Sequence, residues 1–199
     1  MENKNVNLLK SIFKAKEVGI LLILILLSVL IQMKNPIFFT FNNLMDMGRN
    51  TSYTLIIAIG MTFVLIAKGL DLSVGSLLAI CGLISALGMQ GGIPVAVSVL
   101  LGLLAGAAFG FFNAFCIVKL KIPAMIATLG TMYMARGLVL VITKGQAVYP
   151  LLDSFTNFGK GSILGIPNVV VLAVLLAVAA HIVLTKTTYG RKVYAIGGN

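Results

Sequence analysis

The chain has few of the residues on which most enzymes depend. Only 5 of its 199 residues are acidic, and His181 is its single histidine. Asp71 has no second carboxylate within an apolar run to pair with, which excludes an embedded aspartyl protease. One histidine near the end of the last apolar run likewise excludes a histidine-activated serine nucleophile. Cys81 and Cys116 lie inside apolar runs without Cys-x-x-Cys spacing, so they imply neither a disulfide nor a metal site and read as small hydrophobes. There is no His-Glu-x-x-His for zinc hydrolysis and no Gly-x-x-x-x-Gly-Lys-[Ser/Thr] to cradle phosphate. No catalytic residue, metal or cofactor is expected, and any use of ATP would belong to a separate protein.

What is abundant is apolar. A 59 % hydrophobic content against 10 % charge, with a mean hydropathy of +1.08, places the chain among integral membrane proteins. A net charge of +10 would point to nucleic acid in a soluble chain, but no basic patch interleaved with aromatics exists, and the cations flank apolar runs. Those runs cover residues 18–33, 51–67, 72–89, 95–118, 124–142 and 169–185, an all-α polytopic protein of about six crossings. The first is followed by Lys34-Asn35-Pro36 with no small-x-small cleavage site, so it reads as a retained helix rather than a signal peptide. Residues 40–50 read as a separate short helix at the interface, and residues 143–167 as one long loop.

Six crossings can be oriented by their cations. With the N-terminus inside, ten of the 15 Lys and Arg residues fall on the inner side: Lys4, Lys10, Lys14, Lys16, Lys68, Lys119, Lys121, Lys186, Arg191 and Lys192. Lys34, Arg49, Lys144 and Lys160 fall outside, and Arg136 lies within the membrane. The excess predicts that the basic segment 1–17 and the far end of the chain are both cytoplasmic.

Three features interrupt the apolar runs. Residues 51–89 hold two charges, Lys68 and Asp71, and as one helix would be about 58 Å long at ~1.5 Å per residue. A bilayer core is about 30 Å thick. A turn or helix break is therefore expected across residues 68–76, with Asp71 or Ser73 as the cap of the next helix. Two readings fit: a tight polar turn in headgroup water, or a broken helix lining a polar path. Next, Gly102, Gly106 and Gly110 share one helix face and permit close packing, with Asn113 near the same face. The Asn113 amide requires a partner, either another helix or a solute. Finally, Arg136 is the one full charge deep in an apolar run, suited to snorkelling, a structural pair, or a gate or path role.

The segment Gly69-Leu70-Asp71-Leu72-Ser73-Val74-Gly75-Ser76 resembles the signature of permease subunits of ribose-type ATP-binding-cassette importers, which move simple sugars and autoinducer-2. The resemblance continues in order through Ile126-Ala127-Thr128-Leu129, Arg136-Gly137, Gly165-Ile166-Pro167, Tyr189-Gly190-Arg191 and Tyr194-Ala195-Ile196-Gly197-Gly198-Asn199. It implies a transport subunit that pairs with a second permease subunit in the bilayer, receives sugar from an extracytoplasmic binding protein and is driven by a cytoplasmic ATPase. Under it, residues 18–185 are the permease region. Gly69, Asp71, Ser73, Gly75 and Ser76 become signature or path residues, and Asn113 and Arg136 become path or gate residues. Residues 186–199 begin a coupling loop whose short helix docks on the ATPase, with Tyr189, Gly190, Arg191, Tyr194, Gly197, Gly198 and Asn199 as its coupling set. The apolar anchors are Tyr189, Val193, Tyr194 and Ile196, and Gly197-Gly198 allows a sharp turn. A basic tail that binds lipid headgroups is the competing reading of that end.

Permeases of this family continue for several helices after Gly-Gly-Asn, so the resemblance implies a fragment of a longer permease. The other function classes are a secondary carrier, a structural membrane protein, or a permease fragment without activity of its own. An ion-coupled carrier needs ionisable groups at mid-depth, where only Arg136 and Asp71 are candidates.

Overall fold

The computed structural model describes residues 16–198. Most of the basic segment 1–17, together with Asn199, lies outside the described residues. So do the cytoplasmic placement and the coupling role expected of them. The described residues form eight helices and one short hairpin. In chain order these are α1 (Lys16–Lys34), α2 (Phe41–Ile66), α3 (Val74–Gln90), α4 (Val95–Val118), α5 (Ala124–Thr143), α6 (Asp153–Lys160), β1 (Ser162–Ile163), β2 (Ile166–Pro167), α7 (Asn168–Lys186) and α8 (Thr188–Gly198). The chain is an all-α membrane protein. α2, α4, α5 and α7 are long and apolar enough to cross a bilayer, while α1 and α3 supply shorter apolar stretches, Val18–Lys34 and Val74–Gln90.

Packing divides the chain into two compact units, one ending at Gly48 and the other beginning at Arg49. In the first, Gln32 clamps the turn that follows α1: its Oε1 accepts from Phe39 N at 2.9 Å and its Nε2 donates to Pro36 O at 3.2 Å. The separate helix expected at 40–50 is instead the start of α2, which runs unbroken for 26 residues. Asn50, Thr51 and Ser52 are weak helix formers, but each costs at most ~0.7 kcal/mol inside a helix. Breaking there would leave up to eight end groups without intrahelical partners, and no proline enforces it.

The second unit is organised by α3, α4 and α5. α3 and α4 run antiparallel in close contact, and glycines set the register. A methyl group on Gly88 would meet Ser98 Oγ at 2.8 Å, and one on Gly102 would collide with Ser85 Oγ and approach Cys81 O at 2.6 Å. One on Gly106 would meet Cys81 Sγ at 3.0 Å, whereas nothing lies within 4 Å of a methyl on Gly110. The expected three-glycine face thus packs through two of its members. Gly110 lies nearer the end of α4, past its close contacts with Cys81 and Ser85. Against this pair α5 adds Ala135, which with Ile80 and Leu83 forms the apolar core, flanked by Leu77, Ile84, Phe109 and Val139.

The expected long loop at 143–167 is partly structured. It contains α6, followed by a hairpin pairing Ser162 with Pro167 and Ile163 with Ile166. Leu164 and Gly165 at its tip have φ of 52° and 82°, the two positive values that a tight two-residue hairpin turn demands. Asn168 fastens the hairpin to α6, its Nδ2 donating to Phe158 O at 3.0 Å. At the other end of α7 the chain turns sharply into α8. Thr187 Oγ1 donates to Val183 O at 2.6 Å and accepts from Gly190 N at 3.2 Å. Gly190 is buried against the last carbonyls of α7, leaving no room for a side chain.

The α3–α4 contact generates a test. Gly102→Ala should destabilise the protein by about 1–3 kcal/mol through overpacking, while Gly110→Ala should be neutral or slightly stabilising. Thermal unfolding in detergent measures both; equal effects would contradict this register.

Candidate functional site

The break expected between the second and third crossings lies between α2 and α3. α2 ends in a Schellman arrangement: Lys68 adopts φ 57°, Lys68 N donates to Leu65 O at 3.0 Å and Gly69 N to Val64 O at 2.8 Å. Gly69 is tightly held, since a methyl there would stand 3.0 Å from Val64 Cγ1. Two residues further on, Asp71 Oδ1 accepts from Ser73 N at 2.8 Å and from Ser73 Oγ at 2.5 Å. This is an Asx turn, not the expected cap. Ser73 occupies the N-cap position of α3 but makes no side-chain cap bond, because its hydroxyl is directed to Asp71.

Ser73 is also the meeting point of three helices. Its Oγ accepts from Asn113 Nδ2 of α4 at 3.2 Å, and Asn113 Oδ1 accepts from Thr131 Oγ1 of α5 at 2.5 Å. Donation therefore runs in one direction, from Thr131 to Asn113 to Ser73 to Asp71. Ser73 is 0 %, Thr131 1 % and Asn113 5 % exposed, so the links are shielded from competing water and polarise one another.

This chain of bonds fixes the depth of the break. α4 runs on from Asn113 to Val118, about 7–8 Å at ~1.5 Å per residue, before the basic turn carrying Lys119 and Lys121. α5, starting from the same turn at Ala124, rises about 10 Å before reaching Thr131. By both measures α3 begins well short of the level at which its neighbours end. Of the two sequence-based readings, this geometry favours the broken helix over the tight surface turn.

Beside the start of α3 a groove of about 420 Å³ opens between α3 and α5, lined by Leu72, Gly75, Ser76, Ala79, Met132, Arg136, Val139 and Leu140. Its polar side chains are Ser76 and the exposed Arg136, and it lies beside the first N–H groups of α3. Those N–H groups have no intrahelical acceptor and receive no side-chain cap. A methyl on Gly75 would meet nothing within 4 Å, so the backbone there is open to the groove. The site offers mainly donors on an apolar wall and suits an oxygen-rich solute. No cluster of metal-ligating side chains exists among the described residues.

The expected coupling residues lie elsewhere, on α8. Gly190 and Val193 are buried and Gly197 half-buried, forming its inward face, so Val193 is not an available anchor. Arg191, Lys192, Tyr194 and Ile196 are exposed, as is Tyr189, whose ring also lies 6.4 Å from that of Phe63. The helix continues through Gly197 to Gly198, so the expected sharp turn at these glycines is absent among the described residues.

The structure thus brings Asp71, Ser73 and Asn113 together, places Gly75, Ser76 and Arg136 on one groove, and seats the α8 set against the end of α2 through Gly197. Thr131 was missed by sequence reasoning. Helical spacing alone puts Thr131 on one face of α5 with Thr128 and Ala135, and only the structure shows that all three are buried.

A family model described as the permease component of the branched-chain amino acid transport system matches residues 43–199. The chain is 40 % identical over 181 residues to the ribose import permease protein of Haemophilus influenzae, covering 88 % of this chain and 56 % of that protein. It is 33 % identical over 192 residues to the autoinducer 2 import system permease protein of Photorhabdus luminescens, covering 96 % and 58 %. To the D-allose transport system permease protein of Escherichia coli it is 35 % identical over 163 residues, covering 81 % and 50 %. The chain therefore spans somewhat over half the length of the curated relatives it matches. No solved structure matches it.

The buried bonds can be weighed by substitution. Asn113→Ala removes two buried hydrogen bonds, with Ser73 keeping Asp71 and Thr131 keeping Ala127 O at 3.2 Å, and should cost about 1–3 kcal/mol. Thr131→Val should cost about as much, and the double variant less than the two losses added. Additive losses in detergent unfolding would show that the three side chains do not act as one network.

Proposed function

The chain belongs to the family of transport-system permease components matched over residues 43–199, and on that premise we propose that it forms part of the solute path of an ATP-driven importer for a simple sugar. The observation that carries the reading is the groove between α3 and α5, where Ser76, Arg136 and the open start of α3 converge on an apolar wall. A sugar presents hydroxyl oxygens that accept from such donors, and its C–H faces suit Leu72, Met132 and Val139. The relatives named for ribose, allose and autoinducer 2 support a small, hydroxyl-rich solute. An amino-acid carboxylate would also suit Arg136, which makes leucine the natural competitor in a test.

In this reading residues 18–185 are the permease region, and the basic turn at Lys119 and Lys121, together with α8, faces the cytoplasm. Residues 1–17 lie on the same side. α8 presents Arg191, Tyr194 and Ile196 outward to a cytoplasmic ATPase, residues 186–199 being the start of the coupling segment. A second permease subunit completes the path, and an extracytoplasmic binding protein delivers the sugar.

Two measurements test the proposal in a permease of the relatives' full length that carries this sequence, expressed with its ATPase and binding protein. Uptake of labelled ribose or allose, with none of leucine, is the expected result; uptake of leucine alone would overturn the sugar assignment. Arg136→Lys should lower uptake at least about tenfold with normal membrane abundance, because a lysine lacks the planar fork that holds two oxygens at once. Normal uptake would reduce Arg136 to a snorkelling cation.

The orientation is tested separately by cysteine labelling with an impermeant reagent in whole cells. Gln90→Cys and Ser154→Cys should react while Thr187→Cys should not, and the reverse pattern would invert the topology.

A further inference from the structure

α8 is tied to the turn that carries Asp71. A methyl group on Gly197 would collide with the carbonyl oxygen of Ile66 and come within 3.4 Å of Ala67 Cα, so α8 rests directly on the last residues of α2. Toward its other end, the Tyr189 ring lies against Phe63, one turn earlier on the same helix. Both contacts fall on the terminal turn of α2, which the bonds Lys68 N to Leu65 O and Gly69 N to Val64 O close. Only Leu70 separates Gly69 from Asp71, and Asp71 is held by Ser73 and through it by Asn113 and Thr131. The connection from α8 to the head of the groove therefore contains little slack. It consists of a helix-end contact, a capped turn, one residue and a buried hydrogen-bond chain.

Resting on the reading that α8 docks on an ATPase, we infer that Gly197 and the Phe63–Tyr189 pair are positioning residues. They make the Asp71 turn follow α8, so that displacement of α8 reorients the start of α3 and the groove beside it. The close approach at Gly197 fixes α8 against the α2 backbone rather than against flexible side chains. Movement of α8 toward α2 then pushes on the end of α2. The Ser73 hydroxyl bonds α3 to both Asp71 and Asn113, so displacing the turn either strains these links or moves α3.

The test uses the complete transporter with Cys81 and Cys116 replaced by serine and a reporter at Ser76→Cys in the groove. Its rate of thiol labelling is compared without nucleotide and with the ATPase trapped in its closed state. With Gly197 and the ring pair intact, the rate should change at least about fivefold between the two states. Gly197→Ala should abolish that response and uncouple hydrolysis from uptake while the assembly still hydrolyses ATP. Gly60→Ala, on α2 with nothing within 4 Å of the added methyl, should leave the response intact. An unchanged response in Gly197→Ala overturns the inference.

If that variant does not assemble, Phe63→Ala and Tyr189→Ala decide, because they remove the ring contact without introducing overlap. A reduced response in both supports the inference, and an unchanged response in both overturns it. The labelling readout needs no solute, so a transporter that moves leucine and no sugar would defeat the substrate assignment while leaving this result readable.

Discussion

A buried hydroxyl or amide far from water must find a partner within the protein, and here three such side chains and one half-buried carboxylate find one another in a line. Thr131, Asn113 and Ser73 each donate to the next and the line ends on Asp71, joining three helices and an interhelical turn through groups that are almost wholly buried. Each link would be modest in water. In a water-excluded contact the links polarise one another, and losing Asn113 cuts α5 off from α3, so the line behaves as a single constraint. The depth of the α2–α3 break, the placement of α3 and the opening of the groove all follow from it.

Close packing makes that constraint possible. Asn113 meets Ser73 because α3 and α4 approach to backbone contact through Gly88, Gly102 and Gly106. The same approach leaves α3 starting short of its neighbours at the basic turn, with the Asx turn at Asp71 absorbing the chain that would otherwise continue the helix. Because Ser73 bonds to Asp71 instead of capping α3, the first N–H groups of that helix remain available to the groove. Groove and scaffold are thus built from neighbouring residues of one motif, in which Asp71 and Ser73 hold the break while Gly75 and Ser76 line the groove.

Much of this was legible in the sequence. Apolar runs separated by Lys, Pro and Gly gave the helices, and a 39-residue stretch too long for one crossing required the break. The glycine spacing on α4 pointed to a close helix contact, and a lone Asn113 in an apolar run announced a polar partner. The partner itself was not legible, because Thr131 is 18 residues from Asn113 and its hydroxyl looks like any helix threonine until the helices are docked. The role of Ser73 was misjudged for a similar reason. A serine before a helix normally caps it, and only the nearness of Asn113 and Asp71 redirects its hydroxyl. Nor could the sharp turn expected at Gly197-Gly198 be told from a close approach, since glycine serves both and the choice depends on Ile66, far away in sequence.

The account stands on the break lying inside the apolar layer rather than at its surface. Nitroxide labels at Leu72 and at Leu120, beside the basic turn, compared by power saturation in lipid nanodiscs, measure that depth directly. The hydrogen-bond line places Leu72 deeper than Leu120 by about 7–10 Å, the rise of the helix segments between them at ~1.5 Å per residue. Equal depth for the two labels would return the α2–α3 connection to the membrane surface and contradict the account.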